Sequence, residues 1–395
     1  MLDTLTERIR AAYENDSPLI IQGGGSKGFY GNADEGEVLS TRGLTGIVDY
    51  QPKELVLTAR AGTPLADIEA LLAGENQMLA FEPPHFSPFP QPSPSPQPSP
   101  SGREGASDAL RAPKPIDATL GGSIAAGLSG PRRPYAGAAR DFVLGVRIID
   151  GSGQPLRFGG QVIKNVAGYD VSRLMVGALG TLGLITEVSL KVLPRPVEEI
   201  SLQFELDEAA AILQMNQWAG QPLPLSATSW HAGVLSVRLS GAAPAVRAAH
   251  AKLGGEVLKE AAAFWQRLRD HATPFFDRQP LWRLAVKSTT PPLGLGEAQW
   301  IEWGGGLRWL ASELPPETLR AAARAAGGHA TLFRGEASAP HPSPRTGERA
   351  NLTPNAINDG VFTPLPPAML AVHRALKLRF DPRGILNRGR LYPDF

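Results

Sequence analysis

The sequence predicts an α+β protein with a large N-terminal domain and a smaller α+β unit after it. Three observations carry this expectation. In the first two hundred residues, short apolar strands run into or out of turns made of glycine and other small residues. From Glu198 the pattern changes to strand, helix, strand, strand, helix, strand. Two Pro- and Ser-rich tracts, at 87–114 and 336–356, cannot bury a core and separate the ordered regions.

Each element follows from periodicity and punctuation. Leu2, Leu5 and Ile9 fall on one helical face. Pro18 to Gln22 is an apolar strand that ends in glycines, and Gly46–Tyr50 and Leu55–Ala61 read as two more strands. Thr63-Pro64 reads as a helix start, a capping hydroxyl before a proline at the first helical position. The helix it opens carries Leu65, Ile68, Leu71 and Leu72. After the first tract, 119–128 is a loop of small residues. Strands are expected at 142–149 and 155–158, a short helix at 170–176, and a long strand at 182–193 closed by Pro194. The order from 198 onward suggests a ferredoxin-like unit, followed by a tryptophan-rich β segment with Trp300, Trp303 and Trp309. The last helix spans 366–380, with Met369, Val372, Leu376 and Phe380 on one face. The two Pro/Ser tracts share detail, since Pro-Ser-Pro-Ser-Gly-Arg-Glu-Gly-Ala at 98–106 parallels Pro-Ser-Pro-Arg-Thr-Gly-Glu-Arg-Ala at 342–350. They read as two copies of one disordered insert.

Composition narrows the function. A net charge of +1 gives no bulk attraction to nucleic acid or to anionic lipid. The absence of cysteine excludes disulfides, a thiol nucleophile and any Cys-ligated iron–sulfur cluster held by this chain. No apolar run is long enough for a membrane span, and the charged N-terminus lacks a signal-peptide core, so a cytoplasmic location is expected.

The first chemical signal is Gly23-Gly24-Gly25-Ser26-Lys27-Gly28, which follows a strand. Successive glycines let backbone N–H groups converge on an anion, as a pyrophosphate cradle requires. The spacing also satisfies the Rossmann dinucleotide fingerprint, but that reading needs a helix straight after the loop, and 29–36 has no helical periodicity. A glycine turn without a ligand stays open on this loop alone. Two further small-residue segments accompany it: Thr119-Leu120-Gly121-Gly122-Ser123 and Gly180-Thr181-Leu182-Gly183-Leu184-Ile185. Between them lie Arg140-Asp141-Phe142-Val143-Leu144-Gly145 and a segment at 160–170 containing Asn165, Gly168 and Asp170.

This order of motifs resembles the FAD-binding domain of the vanillyl-alcohol-oxidase family, the PCMH-type flavin fold. Phe81-Glu82-Pro83-Pro84-His85, the stretch 130–135, the stretch 160–170 and the tail 380–390 resemble more closely the E-type FAD subunits of bacterial glycolate dehydrogenase (glycolate oxidase). The resemblance covers 1–86, 116–200 and 360–395 and is weaker from 200 to 335. It implies a PCMH-type FAD domain over 1–197 carrying the insert 87–114, a small α+β cap at 198–335, an insert at 336–356, and a helix and tail at 357–395 that return to the flavin domain. It implies FAD contacts from Gly23, Gly24, Gly25, Ser26, Lys27, Gly28, Thr119, Gly121, Gly122, Ser123, Gly180, Thr181, Gly183, Ile185 and Asn387. The first loop has no histidine or cysteine to which flavin could attach, so non-covalent FAD is expected.

The implied reaction is oxidation of glycolate, or of D-lactate, to the 2-oxo acid. Implied partners are a D-type FAD subunit and an iron–sulfur subunit, through which the chain would sit peripherally at the inner membrane. Related D-type chains carry a His-rich metal site; no such spacing occurs here, and no metal site is expected. Catalytic residues are not legible. His85, His231 and His373 read as structural or surface residues, and at least two of Arg132, Arg133 and Arg140 read as solvated surface residues. A stand-alone 2-hydroxy-acid or alcohol oxidase, and a non-catalytic scaffold of the same fold, remain as alternatives.

Overall fold

The computed structural model describes residues 1–32, 35–86, 118–160, 170–296, 298–335 and 360–393. Both Pro/Ser tracts and most of the 160–170 motif lie outside the described residues.

The N-terminal part opens with α1 (Leu2–Asn15), which buries Leu5, Ile9 and Ala12. β1 (Leu19–Gln22) and β2 (Glu37–Ser40) then pair in parallel, Leu19 opposite Glu37 and Gln22 opposite Ser40. β3 (Ile47–Gln51), β4 (Val56–Arg60), α2 (Leu65–Gly74) and β5 (Gln77–Met78) follow. Beyond the first tract come α3 (Leu120–Ala126), α4 (Arg133–Ala136), α5 (Ala139–Phe142), β6 (Val143–Ile149), β7 (Pro155–Gly159), α6 (Val171–Leu174), β8 (Leu184–Lys191) and β9 (Leu193–Pro194). β3, β4, β8, β6 and β7 form a five-stranded antiparallel sheet in that order, and β5 pairs with β9. The central β8 is buried almost throughout because both of its faces are covered. Leu57, Ile68, Leu72, Phe81, Ile124, Phe142, Val188 and Leu190 close that core.

Two local expectations are corrected. Thr63 does not cap α2. Pro64 occupies the cap position, and the Thr63 hydroxyl accepts a hydrogen bond from Gly46 N at 3.0 Å. The segment from Thr119 is not a loop but α3, with Thr119 as its N-cap and its hydroxyl accepting from Gly122 N at 3.4 Å. Glycine-rich sequence gives weak helix propensity, and here the cap and the packing of Leu120 and Ile124 decide.

The second part is larger than one ferredoxin-like unit. β10 (Glu198–Glu205), α7 (Glu208–Ala219), β11 (Leu225–His231), β12 (Val234–Gly241), α8 (Ala243–Leu253) and β13 (Glu256–Val257) align as β13-β10-β12-β11, the ferredoxin-like order. Asp207 caps α7 by accepting from Ala210 N at 2.8 Å. After α9 (Ala261–Arg269) the chain repeats the arrangement with β14 (Leu281–Ala285), β15 (Gln299–Glu302), β16 (Leu307–Ala311), α10 (Pro316–Ala325) and β17 (His329–Arg334), ordered β17-β14-β16-β15. β11 and β15 then pair antiparallel, so the two halves join edge to edge in one eight-stranded sheet. Joining edges this way covers strands that would otherwise be open. The second half is hidden in the sequence because, among the described residues, no helix lies between β14 and β15.

The chain returns through α11 (Pro367–Phe380). Its apolar face is only partly used: Met369 and Val372 are exposed, while Phe380 and Lys377 are buried. Lys377 Nζ donates to Asp381 Oδ2 at 2.7 Å and to the carbonyls of Thr181 and Leu386 at 2.8 Å each. Asp381 accepts in turn from the N–H groups of Ile385 and Leu386. This buried pair fastens the tail beneath the Thr181 turn. Among the described residues no helix is long and apolar enough to cross a membrane.

Candidate functional site

Three segments separated by up to 150 residues of chain meet on one cleft of about 300 Å³. The first leaves β1 at Gly23 and continues to Gly28. The second is the Thr119 end of α3. The third is the turn from Leu179 into β8. Close backbone approach explains the small residues. A Cβ on Gly23 would lie 2.4 Å from Thr119 Oγ1, and one on Gly121 would lie 2.6 Å from the Ala61 Cβ. Gly180 has φ +77°, and a Cβ there would lie 2.6 Å from Asn387 Nδ2. Glycine is required at this position on both counts.

Of the residues expected from sequence, Gly23, Gly24, Gly25, Ser26, Lys27, Gly28, Thr119, Gly121, Gly122, Gly180, Gly183, Ile185 and Asn387 line the cleft. Ser123 and Thr181 do not. Both are buried behind the wall, where the Thr181 hydroxyl donates to Ala178 O at 2.7 Å and Ser123 Oγ accepts from Lys27 Nζ at 3.4 Å. Asn387 lines the cleft, yet its amide is engaged with backbone: Oδ1 accepts from Ile21 N and Nδ2 donates to Leu179 O, each at 2.6 Å. It clasps the first and third segments together. Arg390 does the same for the far end of the glycine loop, donating to the carbonyls of Gly28, Tyr30 and Asn32. Sequence reasoning missed Val38, Thr41, Ala61 and Ala125 on the lining. Val38 and Thr41 flank the end of β2, whose parallel pairing with β1 had no signal in the chain.

The electrostatics suit an anion. Lys27 is the lysine of the cleft, and burial lowers its pKa to about 8 against the opposing pull of Asp270. Among the described residues it makes no ion pair; its ammonium meets Ser123 Oγ and lies 5.5 Å from the centre of the Phe86 ring. A half-buried cation facing a cleft rimmed by glycine N–H groups fits a dinucleotide diphosphate. The lining carries no histidine, cysteine or tyrosine to which flavin could be joined.

A second cavity, of about 250 Å³, adjoins the cleft at Ala126 and Leu179. Arg133, Arg140 and Arg283 line it with Tyr30, Trp303 and Phe362. Burial lowers the Arg133 pKa, and the positive charges of Arg283 and Arg140 add to the effect while Asp141 opposes it. The surface reading of the arginines is thereby corrected, because only Arg140 is exposed. Arg132 is buried in an ionic hub, donating to Glu82 and Glu199, and Glu82 also accepts from Arg238 at 2.9 Å. That hub bolts the Phe81–His85 segment to the eight-stranded sheet.

The histidines stand apart from the cleft. His85 Nε2 meets Glu69 Oε1 at 3.1 Å, and His231 stacks on Trp300 at 4.2 Å. His271, buried and stacked on Phe276 at 4.0 Å, is held neutral by burial and by Arg334 and Arg283. Among the described residues no three His, Asp or Glu side chains are grouped to hold a metal ion.

Residues 2–89 match a family described as FAD binding domain. The chain is 42% identical over 391 residues to the glycolate oxidase subunit GlcE of Escherichia coli (strain K12), covering 99% of this chain and 97% of that protein. It is 40% identical over 95 residues to the glycolate oxidase subunit GlcD of Bacillus subtilis (strain 168), covering 23% of this chain and 20% of that protein. It is 29% identical over 206 residues to a D-lactate dehydrogenase of Anaerostipes hadrus, covering 50% and 37%. In three dimensions it matches an alkyldihydroxyacetonephosphate synthase with a TM-score of 0.59 at 14% identity, over 98% of this chain and 75% of that one, a likeness of fold.

Proposed function

The chain belongs to the GlcE family of FAD-dependent oxidoreductases, and from that premise we propose that it is the FAD-binding subunit of a complex that oxidises glycolate, or D-lactate, to the 2-oxo acid. One observation supports this reading above the others: the three small-residue segments line a single cleft, with the unpaired Lys27 ammonium at its wall. On this reading residues 1–197 and 357–395 hold the cofactor and 198–335 form the cap.

Bound FAD supplies a two-electron acceptor for the hydride of the substrate α-carbon. The chain's own residues bind and orient it. Gly23, Gly24 and Gly25 bring the main chain to the cleft without Cβ obstruction, and Lys27 neutralises part of the diphosphate charge. Asn387 and Arg390, on the cleft wall, hold the loops in place. Among the described residues the lining offers no histidine, cysteine or tyrosine for a covalent flavin link, which supports non-covalent attachment.

Onward electron flow needs partners. The chain has no cysteine, so an iron–sulfur subunit would carry the cluster, and a D-type FAD subunit completes the complex. This places the chain in the cytoplasm, at the inner membrane only through those partners.

The deciding experiment is co-purification of the tagged chain from its host, with release of the cofactor by acid and assay of dye reduction by glycolate. Soluble FAD and glycolate-dependent reduction only by the assembled complex are expected. A colourless chain that ignores added FAD, or full turnover by the pure chain with peroxide formed, would count against it.

A further inference from the structure

The cavity beside the flavin cleft is lined by a cluster of three like charges. Arg133 leaves the start of α4, Arg140 lies in α5, and Arg283 projects from β14 of the second half-sheet. All three line the same space of about 250 Å³. Among the described residues, none of their guanidinium groups makes an ion pair or a side-chain hydrogen bond. What supports them instead is aromatic. Arg133 lies 4.4 Å and Arg283 5.2 Å from the centre of the Trp303 ring. Trp303 is itself fixed, its indole N–H donating to Gly130 O at 3.1 Å. The acidic groups that act on the cluster are otherwise engaged. Asp141 accepts from Ala138 N at 2.8 Å, and the buried Glu302 accepts from Trp309 Nε1 at 2.7 Å.

Three guanidinium groups gathered in one pocket repel one another, and the arrangement is relieved when an anion enters. The planar fork of arginine matches a carboxylate in two-point contact. We propose that this chamber is a carboxylate-binding site, in which Arg133, Arg140 and Arg283 hold the acid group of a short 2-hydroxy acid while its hydroxyl-bearing carbon points past Ala126 and Leu179 toward the flavin cleft. The assignment rests on the flavin reading given above and extends it, because it puts substrate recognition in this chain rather than in a partner. The space of about 250 Å³ accommodates a small acid.

The test is calorimetric titration of the purified full-length chain, its FAD content measured separately, with glycolate, D-lactate and oxalate, and with ethylene glycol as the uncharged control. The carboxylates should bind and ethylene glycol should not. Arg140→Gln and Arg283→Gln should each weaken carboxylate binding at least about tenfold, the worth of a charge-assisted hydrogen bond, with FAD content unchanged. Arg140 is exposed, so its variant reports even if Arg283→Gln fails to fold, and Arg283→Lys should recover part of the affinity. Arginine-dependent carboxylate binding by a chain lacking FAD would leave the chamber standing and remove the flavin reading. Absence of carboxylate binding in the parent chain, or equal affinity in the parent and Arg140→Gln, would overturn the chamber.

Discussion

The flavin cleft and the arginine chamber meet at Ala126 and Leu179, but their walls are of opposite kinds. The cleft is made of backbone. Glycines bring main-chain groups to its surface, Lys27 and Arg390 bring charge, and Asn387, Arg390 and Lys377 fasten the loops to one another. The chamber is made of side chains, three arginines of which two, Arg133 and Arg283, are braced on Trp303, contributed by both parts of the molecule. A backbone site tolerates little change in shape, whereas a side-chain site loses charge one residue at a time.

That contrast sets the expected effects. The largest should come from the support beneath the cleft. Lys377→Met leaves the buried Asp381 carboxylate without its cation and should cost about 3–5 kcal/mol, read as a fall in the denaturation midpoint with and without FAD. If stability is unchanged, the tail does not anchor the cleft.

Next comes Glu302, behind the chamber. Burial raises its pKa from 4.5 to about 7, against the pull of Trp309 and Arg283. The folded chain therefore keeps a proton that the unfolded chain sheds above its own pKa. Stability should fall as pH rises from about 4.5 to 7 and level off beyond, by roughly 3–4 kcal/mol from this group. Glu302→Gln should flatten that slope in melts taken across the range, and an unaltered slope would remove Glu302 as its cause.

Gly180→Ala forces a side chain into a left-handed turn and against Asn387. It should cost about 1–3 kcal/mol and weaken FAD retention, while leaving arginine-dependent carboxylate binding in place. Loss of both together would mean that the two sites are one.

The smallest effect is that of Lys27→Met, which should weaken FAD binding about tenfold at neutral pH. In the parent chain FAD affinity should decline as pH rises through about 8, where the free Lys27 loses its proton. The variant should show no such decline in a fluorescence titration.

Legibility in the sequence follows the same division. Gly23–Gly28 and Gly180–Ile185 could be read because tight turns and close backbone approach demand glycine within a few consecutive residues. The α3 helix was read as a loop because its residues favour no helix until Thr119 caps it and the core receives Leu120 and Ile124. The second ferredoxin-like half leaves no such trace in the sequence because, among the described residues, no helix lies between β14 and β15. The apolar residues Met369 and Val372 mark a helical face that the fold leaves outside.

By itself the sequence determined that small-residue turns alternate with apolar strands, that no cysteine chemistry is available, and that the motif order is that of an FAD protein. The tertiary structure decided that those turns converge on one cleft, and that Arg133, Arg140, Arg283 and Trp303 face one space beside it. The physical reason is range. Backbone conformation is dictated by neighbours in the chain, while a cluster of like charges held from positions 133 to 283 exists only once two sheets have packed together.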